Sequence, residues 1–285
     1  MCFGVRDAIA LALEAAGHQP LTVLGDLVHN ETVMAGLRAR GILVAREAAE
    51  APTRRVMITA HGASQRAIQR AGARGLEVFD ATCPLVHLAH RAVKALAAAG
   101  YHPVIIGKRD HVEVRGLTED LAEFDVVLDE EDILALEERE RFWVAAQTTQ
   151  PIERARRLVE FLRRRFPNAD VRFADTVCQP TKQRQDAAVD LARQSDVVVV
   201  IGGAHSNNTR ELAGTCARFC GCVHQVSAVE ELRPEWFGQA RTVGLTAGTS
   251  TPDRMVDEVE RWLRNLDAEG SVPTERSADA RLKAA

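Results

Sequence analysis

The feature that most constrains this chain is an internal repeat that occurs three times. Apolar runs ending in glycine stand at Leu21-Thr22-Val23-Leu24-Gly25, Pro103-Val104-Ile105-Ile106-Gly107 and Val198-Val199-Val200-Ile201-Gly202. Each enters a polar turn and then a helical pattern: Asp26–Glu31, Lys108–Glu113 and Gly203–Asn208. A cysteine precedes each glycine at a near-constant distance, 23 residues for Cys2 to Gly25 and 24 for Cys83 to Gly107 and Cys178 to Gly202. A second set of strand ends follows at Thr59–Ser64, Ala145–Gln150 and Thr246–Thr251, each opening another helix. Short strands are expected between the turns at Ile42–Val44, Val126–Leu128 and Val223–Val226.

Strands alternating with helices of about 10–15 residues predict an α/β chain whose sheets are parallel and covered by helices. The unbroken Val/Ile runs fit strands buried on both faces. Length alone, at about 150 residues per domain, would predict two domains. The repeat predicts instead three pseudo-threefold-related lobes, 1–82, 83–177 and 178–266, with a disordered tail over 267–285. Ligands in such sheets bind beyond the carboxyl ends of the strands, where the polar turns and the cysteines lie. Pseudo-threefold symmetry would bring three cysteines and six turns to one centre. Strands lead into Cys83 and Cys178, each with an Asp three residues ahead, but only Met1 precedes Cys2. The first leading strand is therefore expected to be missing, through truncation or a misplaced start.

Composition removes other classes. The 285 residues carry 36 basic and 40 acidic side chains, a net charge of −4, with nine Phe, three Trp and one Tyr. That balance and the few aromatics exclude a general nucleic-acid binder, which needs a basic stripe or stacking platforms. No apolar run approaches the ~20 residues of a membrane span. Neither a signal peptide nor a membrane anchor is legible, so the expected location is cytoplasmic. There, six cysteines point to reduced, metal-bound or catalytic thiols rather than disulfides.

Three converging thiolates suit an iron–sulfur cluster, and a 4Fe–4S cluster on three cysteines leaves one iron open. Zinc is the alternative, although structural zinc favours closely paired cysteines. Cys216, Cys220 and Cys222 resemble a metal clip in spacing but lack counterparts in the other repeats and read as core or surface thiols. In the turns, His29, His61, His111, Ser206, Asn208 and Ser250 surround helix N-termini, which suit phosphate. Each could equally be a structural residue, and Asn208 with Glu211 resembles a capping box. Glu113 could donate a proton beside a bound phosphate, or merely complement a helix dipole. Thr148 could orient a hydroxyl, or simply end a strand.

Taken together, Cys2-Phe3-Gly4-Val5-Arg6, His29-Asn30, Thr59–Gly62, Asp80-Ala81-Thr82-Cys83-Pro84-Leu85-Val86, His111-Val112-Glu113-Val114-Arg115-Gly116, Gln147–Thr149, Ser206–Thr209 and Thr246–Pro252 resemble the LytB family of 4-hydroxy-3-methylbut-2-enyl diphosphate reductases. The resemblance spans Cys2 to about Leu266. It implies a three-lobed fold around one 4Fe–4S cluster, held by Cys2, Cys83 and Cys178. It implies a reductive removal of an allylic hydroxyl, the last step of the methylerythritol phosphate route to isoprenoids, fed by an external ferredoxin- or flavodoxin-type donor. Glu113 would deliver the proton and Thr148 would contact the substrate hydroxyl. His29, His61, His111, Ser206, Asn208 and Ser250 would hold the diphosphate, with Asn207 beside them where the family more often has Ser, and Thr181 would line the pocket. A condensing enzyme resembling quinolinate synthase and a non-catalytic cluster-binding sensor are the alternatives.

Overall fold

The computed structural model describes the backbone of residues 1–269 and 281–284. In chain order the first sheet is served by α1 (Phe3–His18), β1 (Leu21–Leu24), α2 (Glu31–Arg38), β2 (Leu43–Ala45), β3 (Arg55–Ile58), α3 (Gln65–Ala73) and β4 (Glu77–Asp80). The second follows with α4 (Pro84–Ala97), β5 (His102–Ile106), α5 (Val112–Thr118), β6 (Asp125–Val127), α6 (Glu130–Leu134), β7 (Arg141–Ala146), α7 (Ile152–Arg165) and β8 (Asp170–Ala174). The third comprises α8 (Gln179–Arg193), β9 (Val197–Ile201), α9 (Asn207–Ala217), β10 (Val223–Val226), β11 (Thr242–Ala247), α10 (Asp253–Glu269) and β12 (Arg281–Ala284). The strand orders are β2-β1-β3-β4, β6-β5-β7-β8 and β10-β9-β11-β12, and every pairing is parallel. The α/β expectation with small parallel sheets holds.

Why the central strands are apolar runs is visible in the packing. On β5, Val104 and Ile106 face Leu158 and Leu162 of α7, while Ile105 between them faces Ala89 and Val93 of α4 and Val114 of α5. On β9, Val197, Val199 and Ile201 pack with Val259 and Leu263 of α10, and Val198 and Val200 pack with Ala188 and Ala192 of α8. A side-chain period of two thus serves two cores at once, which only an unbroken hydrophobic run can do.

The chain divides into two compact units. One comprises Phe3–Val28 and Met34–Cys178 and contains the first two sheets; the other comprises Met1–Cys2, His29–Val33 and Gln179–Ala285 and contains the third. The expected loose tail is in part ordered. α10 runs on to Glu269, and Arg281–Ala284 pairs with Thr242–Leu245 as the outer strand of the third sheet, satisfying backbone groups that an open edge would leave unpaired. The rest of that stretch, 270–280 and 285, lies outside the described residues. No helix among the described residues is long and apolar enough to cross a membrane.

Candidate active site

In the larger unit the site is built on two turns of the second sheet. β5 ends at Gly107, and His111 caps α5, its Nδ1 accepting the Glu113 N–H at 3.1 Å. An accepting Nδ1 places the ring proton on Nε2, a donor of the kind an anion needs. The His61 ring meets that of His111 edge to face, with centroids 5.6 Å apart. Glu113, at 1% exposure, is buried among these elements. Its Oε1 accepts the Thr148 N–H at 2.6 Å and its Oε2 accepts the Thr148 hydroxyl at 3.1 Å. Burial nevertheless dominates and pushes the carboxyl up to about 7, against those two hydrogen bonds, which favour the charged form. Glu113 does stand in the first turn of α5, where the helix dipole favours an acid, but it is buried there rather than solvated.

Thr148 is itself held. The buried Gln147 beside it donates its N–H to the Ile106 carbonyl at 2.8 Å, and its Oε1 accepts from the Lys108 N–H. Thr176 braces the end of β7 by accepting from the Ala146 N–H and donating to the Ala146 carbonyl. Gln147 stood in the sequence only as part of the family-like Gln147–Thr149 stretch, and Thr176 was not singled out, since both roles depend on partners about 30 to 40 residues away. His90 was also passed over. Its buried Nε2 lies 3.2 Å from the position a β-carbon would take at Gly62, whose φ of +80° suits glycine. Burial, reinforced by Lys94, lowers its pKa to about 4, so it stays neutral under the His61 turn.

In the smaller unit the corresponding turns carry neutral donors. Ser206 caps α9, accepting from the Thr209 N–H at 3.3 Å, so the cap is Ser206 and not the Asn208–Glu211 box that the sequence resembles. Asn208 is released from capping, and its Oδ1 accepts the Thr249 N–H at 2.8 Å. Asn207 is buried, and its Nδ2 has no hydrogen-bond partner among the described residues, an arrangement suited to a donor with an absent acceptor. Ser250 donates to the His29 carbonyl at 3.1 Å, bringing those two candidates together. Thr181 is fully buried in the first turn of α8.

Cys2, Cys83 and Cys178 share one local setting. Each directly precedes a helix, α1, α4 or α8. Each donates its backbone N–H to the turn after a strand: Cys2 to Thr249 at 2.9 Å, Cys83 to Ala60 at 3.0 Å and Cys178 to Thr148 at 3.0 Å. No disulfide involves them. A β-carbon at Gly4 would lie 2.5 Å from the Cys83 Sγ, so α1 approaches that sulfur as closely as only glycine permits. Each of the three cysteines is a soft sulfur donor at a helix start, the donor chemistry that an iron–sulfur cluster takes. Cys216 and Cys220 are instead buried, and burial pushes the Cys216 thiol up to about 11, the behaviour of a core residue. Cys222 pairs with His224 at 3.3 Å.

The chain is similar to known proteins along nearly its whole length. The family model described as LytB protein matches residues 1–264. The 4-hydroxy-3-methylbut-2-enyl diphosphate reductase of Geobacter metallireducens is 37% identical over 270 residues, covering 94% of this chain and 95% of that protein. The protein of the same name from Hahella chejuensis is 36% identical over 96% of this chain and 89% of its own. Among solved structures, (E)-4-hydroxy-3-methyl-but-2-enyl diphosphate reductase, described as the terminal enzyme of the non-mevalonate pathway, superposes with a TM-score of 0.65 at 32% identity, covering 93% of this chain and 96% of that one. The Plasmodium falciparum E-1-hydroxy-2-methyl-but-2-enyl-4-diphosphate reductase has the same fold, with a TM-score of 0.87 at 24% identity over 100% of this chain and 88% of its own. With the model covering nearly the whole chain and relatives matched along most of their length, this protein belongs to the LytB family.

Proposed function

We propose that this chain is a reductase of 4-hydroxy-3-methylbut-2-enyl diphosphate. Two electrons and two protons enter; the allylic C–O bond breaks, a C–H bond forms and water leaves, giving isopentenyl and dimethylallyl diphosphates. The observation that carries this reading is Thr148, which donates twice to a buried acid and accepts the amide of Cys178. One residue thus ties a proton source to a candidate cluster ligand.

Cys2, Cys83 and Cys178 would hold the cluster through thiolate sulfur. When bound, a 4Fe–4S cluster with one iron lacking a protein ligand supplies the two electrons and a Lewis-acidic position for the hydroxyl. The remaining chemistry belongs to side chains. Glu113, protonated below about pH 7, gives its proton to the departing oxygen, which turns hydroxide into water as leaving group. Thr148 orients the Glu113 carboxyl and reaches the substrate hydroxyl. His29, His61, His111, Ser206, Asn207, Asn208 and Ser250 bind the diphosphate, and Thr181 lines the pocket wall. A ferredoxin- or flavodoxin-type protein delivers the electrons.

The test is anaerobic reconstitution followed by iron and sulfide counting and a dithionite-driven assay with the hydroxy-diphosphate. About four irons per chain with substrate consumption is expected for a cluster of this type. Cys83→Ser should lose iron and turnover together. Zinc bound through Cys216, Cys220 and Cys222, or a full cluster without turnover, overturns the proposal.

A further inference from the structure

The turn that carries His61 lies alongside α5, and the two are joined at successive levels, all within the larger unit. The His61 ring meets that of His111, the cap of α5. Ala63 rests on Gly116, where a β-carbon would stand 3.4 Å from the Ala63 Cα. The Ser64 hydroxyl donates to the Glu119 carboxylate at 2.6 Å. Asp120, the next residue, accepts the N–H groups of Gln65 at 2.7 Å and Arg66 at 3.0 Å, which open α3. The Arg66 guanidinium reaches back to the Glu119 carbonyl at 2.9 Å, and Arg70 pairs with the Glu119 carboxylate. Lys94 of α4, the helix that Cys83 precedes, adds an ion pair to Asp120 at 3.0 Å. The helices that start at the His61 turn, at Cys83 and at His111 therefore meet at one acidic pair.

We propose that Glu119 and Asp120 are positioning residues, which clamp the His61 turn along α5 and so fix His61 against His111 for binding a diphosphate. This role rests on the reading of both histidines as diphosphate donors. Amides at a helix start recruit water, a capping side chain or an anion. On α3 the Ser64 hydroxyl accepts the Ala67 N–H, and Asp120 accepts the two before it. That helix start is filled by the chain itself, and His61 is the side-chain donor that its turn carries. A turn held only by a ring contact would have to be ordered by the ligand, and that ordering costs affinity. The clamp orders it beforehand. Its bonds are charge-assisted. The Ser64 hydroxyl leads the contacts that hold the Glu119 carboxyl below its ordinary value. At Asp120, whose side chain is 10% exposed, burial works the other way and is outweighed by the two amides and Lys94.

Calorimetric binding of inorganic pyrophosphate to the reconstituted protein tests the clamp without turnover. Asp120→Ala should weaken binding about tenfold, because the ligand must then order the turn. Asp120→Asn, which keeps one acceptor oxygen, should recover part of that loss. In a His61→Ala background, Asp120→Ala should weaken binding no further, since it acts through that ring. Tyr101→Phe deletes a hydroxyl bonded to Asp170 at 2.6 Å in the same unit, and should lower stability while leaving binding unchanged. With the hydroxy-diphosphate, Asp120→Ala should raise the Michaelis constant about tenfold and change the turnover number less than about threefold. Full pyrophosphate affinity in Asp120→Ala, where His61→Ala binds weakly, overturns the clamp alone, as does a loss that adds to that of His61→Ala. A parent chain to which pyrophosphate does not bind overturns the diphosphate reading and the clamp with it. Should Asp120→Ala fail to fold, Glu119→Ala, which leaves both α3 amides bonded to Asp120, decides by the same cycle, with an expected loss of about threefold.

Discussion

Glu113 and Asn208 occupy the same place in two repeats, six residues after Gly107 and Gly202. Each accepts the backbone N–H of the residue that also holds a cysteine amide: Thr148 at 2.6 Å for Glu113, and Thr249 at 2.8 Å for Asn208. The scaffold bond is the same, but one acceptor is a carboxyl and the other a carboxamide. Only the carboxyl can exchange a proton near neutral pH. The carboxamide leaves an N–H₂ donor, which suits a phosphate oxygen and carries no charge to repel it. The caps of the two helices differ in parallel: His111 on α5 and Ser206 on α9 stand four residues after the same glycines. The repeat decides where a group is placed, and the residue at that place decides whether the turn offers an exchangeable proton or a neutral donor.

The largest effect should come from making the two turns alike. Glu113→Gln gives the second sheet a neutral amide, and turnover should fall by about 10²–10⁴-fold with the Michaelis constant nearly unchanged; undiminished turnover would remove Glu113 from its role. The same variant also has a stability signature. Burial raises this carboxyl from 4.5 to about 7, so between those pH values the folded chain keeps a proton that the unfolded chain releases. Its contribution favours the folded state at low pH and is lost as pH rises through 7, on the order of 3 kcal/mol across the window. Denaturant titrations of the apoprotein at pH 5 and pH 8 should show that slope in the parent chain and a flatter one in Glu113→Gln. Turnover itself should decline above about pH 7 as the donor loses its proton.

The converse change, Asn208→Asp, puts a carboxylate into the neutral turn. Repulsion of the diphosphate should raise the Michaelis constant roughly 10- to 100-fold, equivalent to about 1.4–2.8 kcal/mol, while the turnover number changes little. A fall confined to the turnover number would break the division of labour between the turns. Thr148→Val is a finer probe. It deletes the hydroxyl that donates to Glu113 at 3.1 Å, one of two bonds favouring the charged carboxyl. The alkaline limb of the pH–rate profile should move to higher pH, with about 1 kcal/mol of stability lost.

The sequence displays position better than partnership. Gly25, Gly107 and Gly202, the cysteines and the polar turns are periodic, so the strands, their order along the chain and most candidate residues could be read from spacing, whereas Thr181 and Asn207 entered only through the family resemblance. Partners across the fold could not. That Asn208 serves Thr249 rather than its own helix depends on a turn 41 residues away, and local pattern favoured a capping box instead. Gln147 and Thr176 act on backbone groups about 30 to 40 residues away, which neither the Gln147–Thr149 motif nor the residues around Thr176 reveal. Burial of Glu113 follows from packing of α5 against β7, which hydrophobic periodicity cannot report for a single acid. β12 was invisible because Asp267–Ala285 mixes Gly, Ser, Pro and charge without an apolar run, and a strand added at an edge needs only backbone.

Ser206 offers the smallest and most selective test of how far the two turns differ. Its hydroxyl accepts the Thr209 N–H and caps the buried start of α9. In Ser206→Ala that N–H loses its acceptor, and the chain should lose about 1 kcal/mol, read from chemical denaturation. If Ser206 were only a cap, Ser206→Asp, another good capping residue, would restore both stability and affinity. As a diphosphate donor it should behave differently. Ser206→Asp regains the helix and thus the stability, yet it binds the substrate more weakly than Ser206→Ala, because its carboxylate accepts but cannot donate and repels the anion. Recovery of the Michaelis constant alongside stability in Ser206→Asp would leave Ser206 a structural cap, and the anion-binding character of this turn would then rest on Asn207, Asn208 and Ser250.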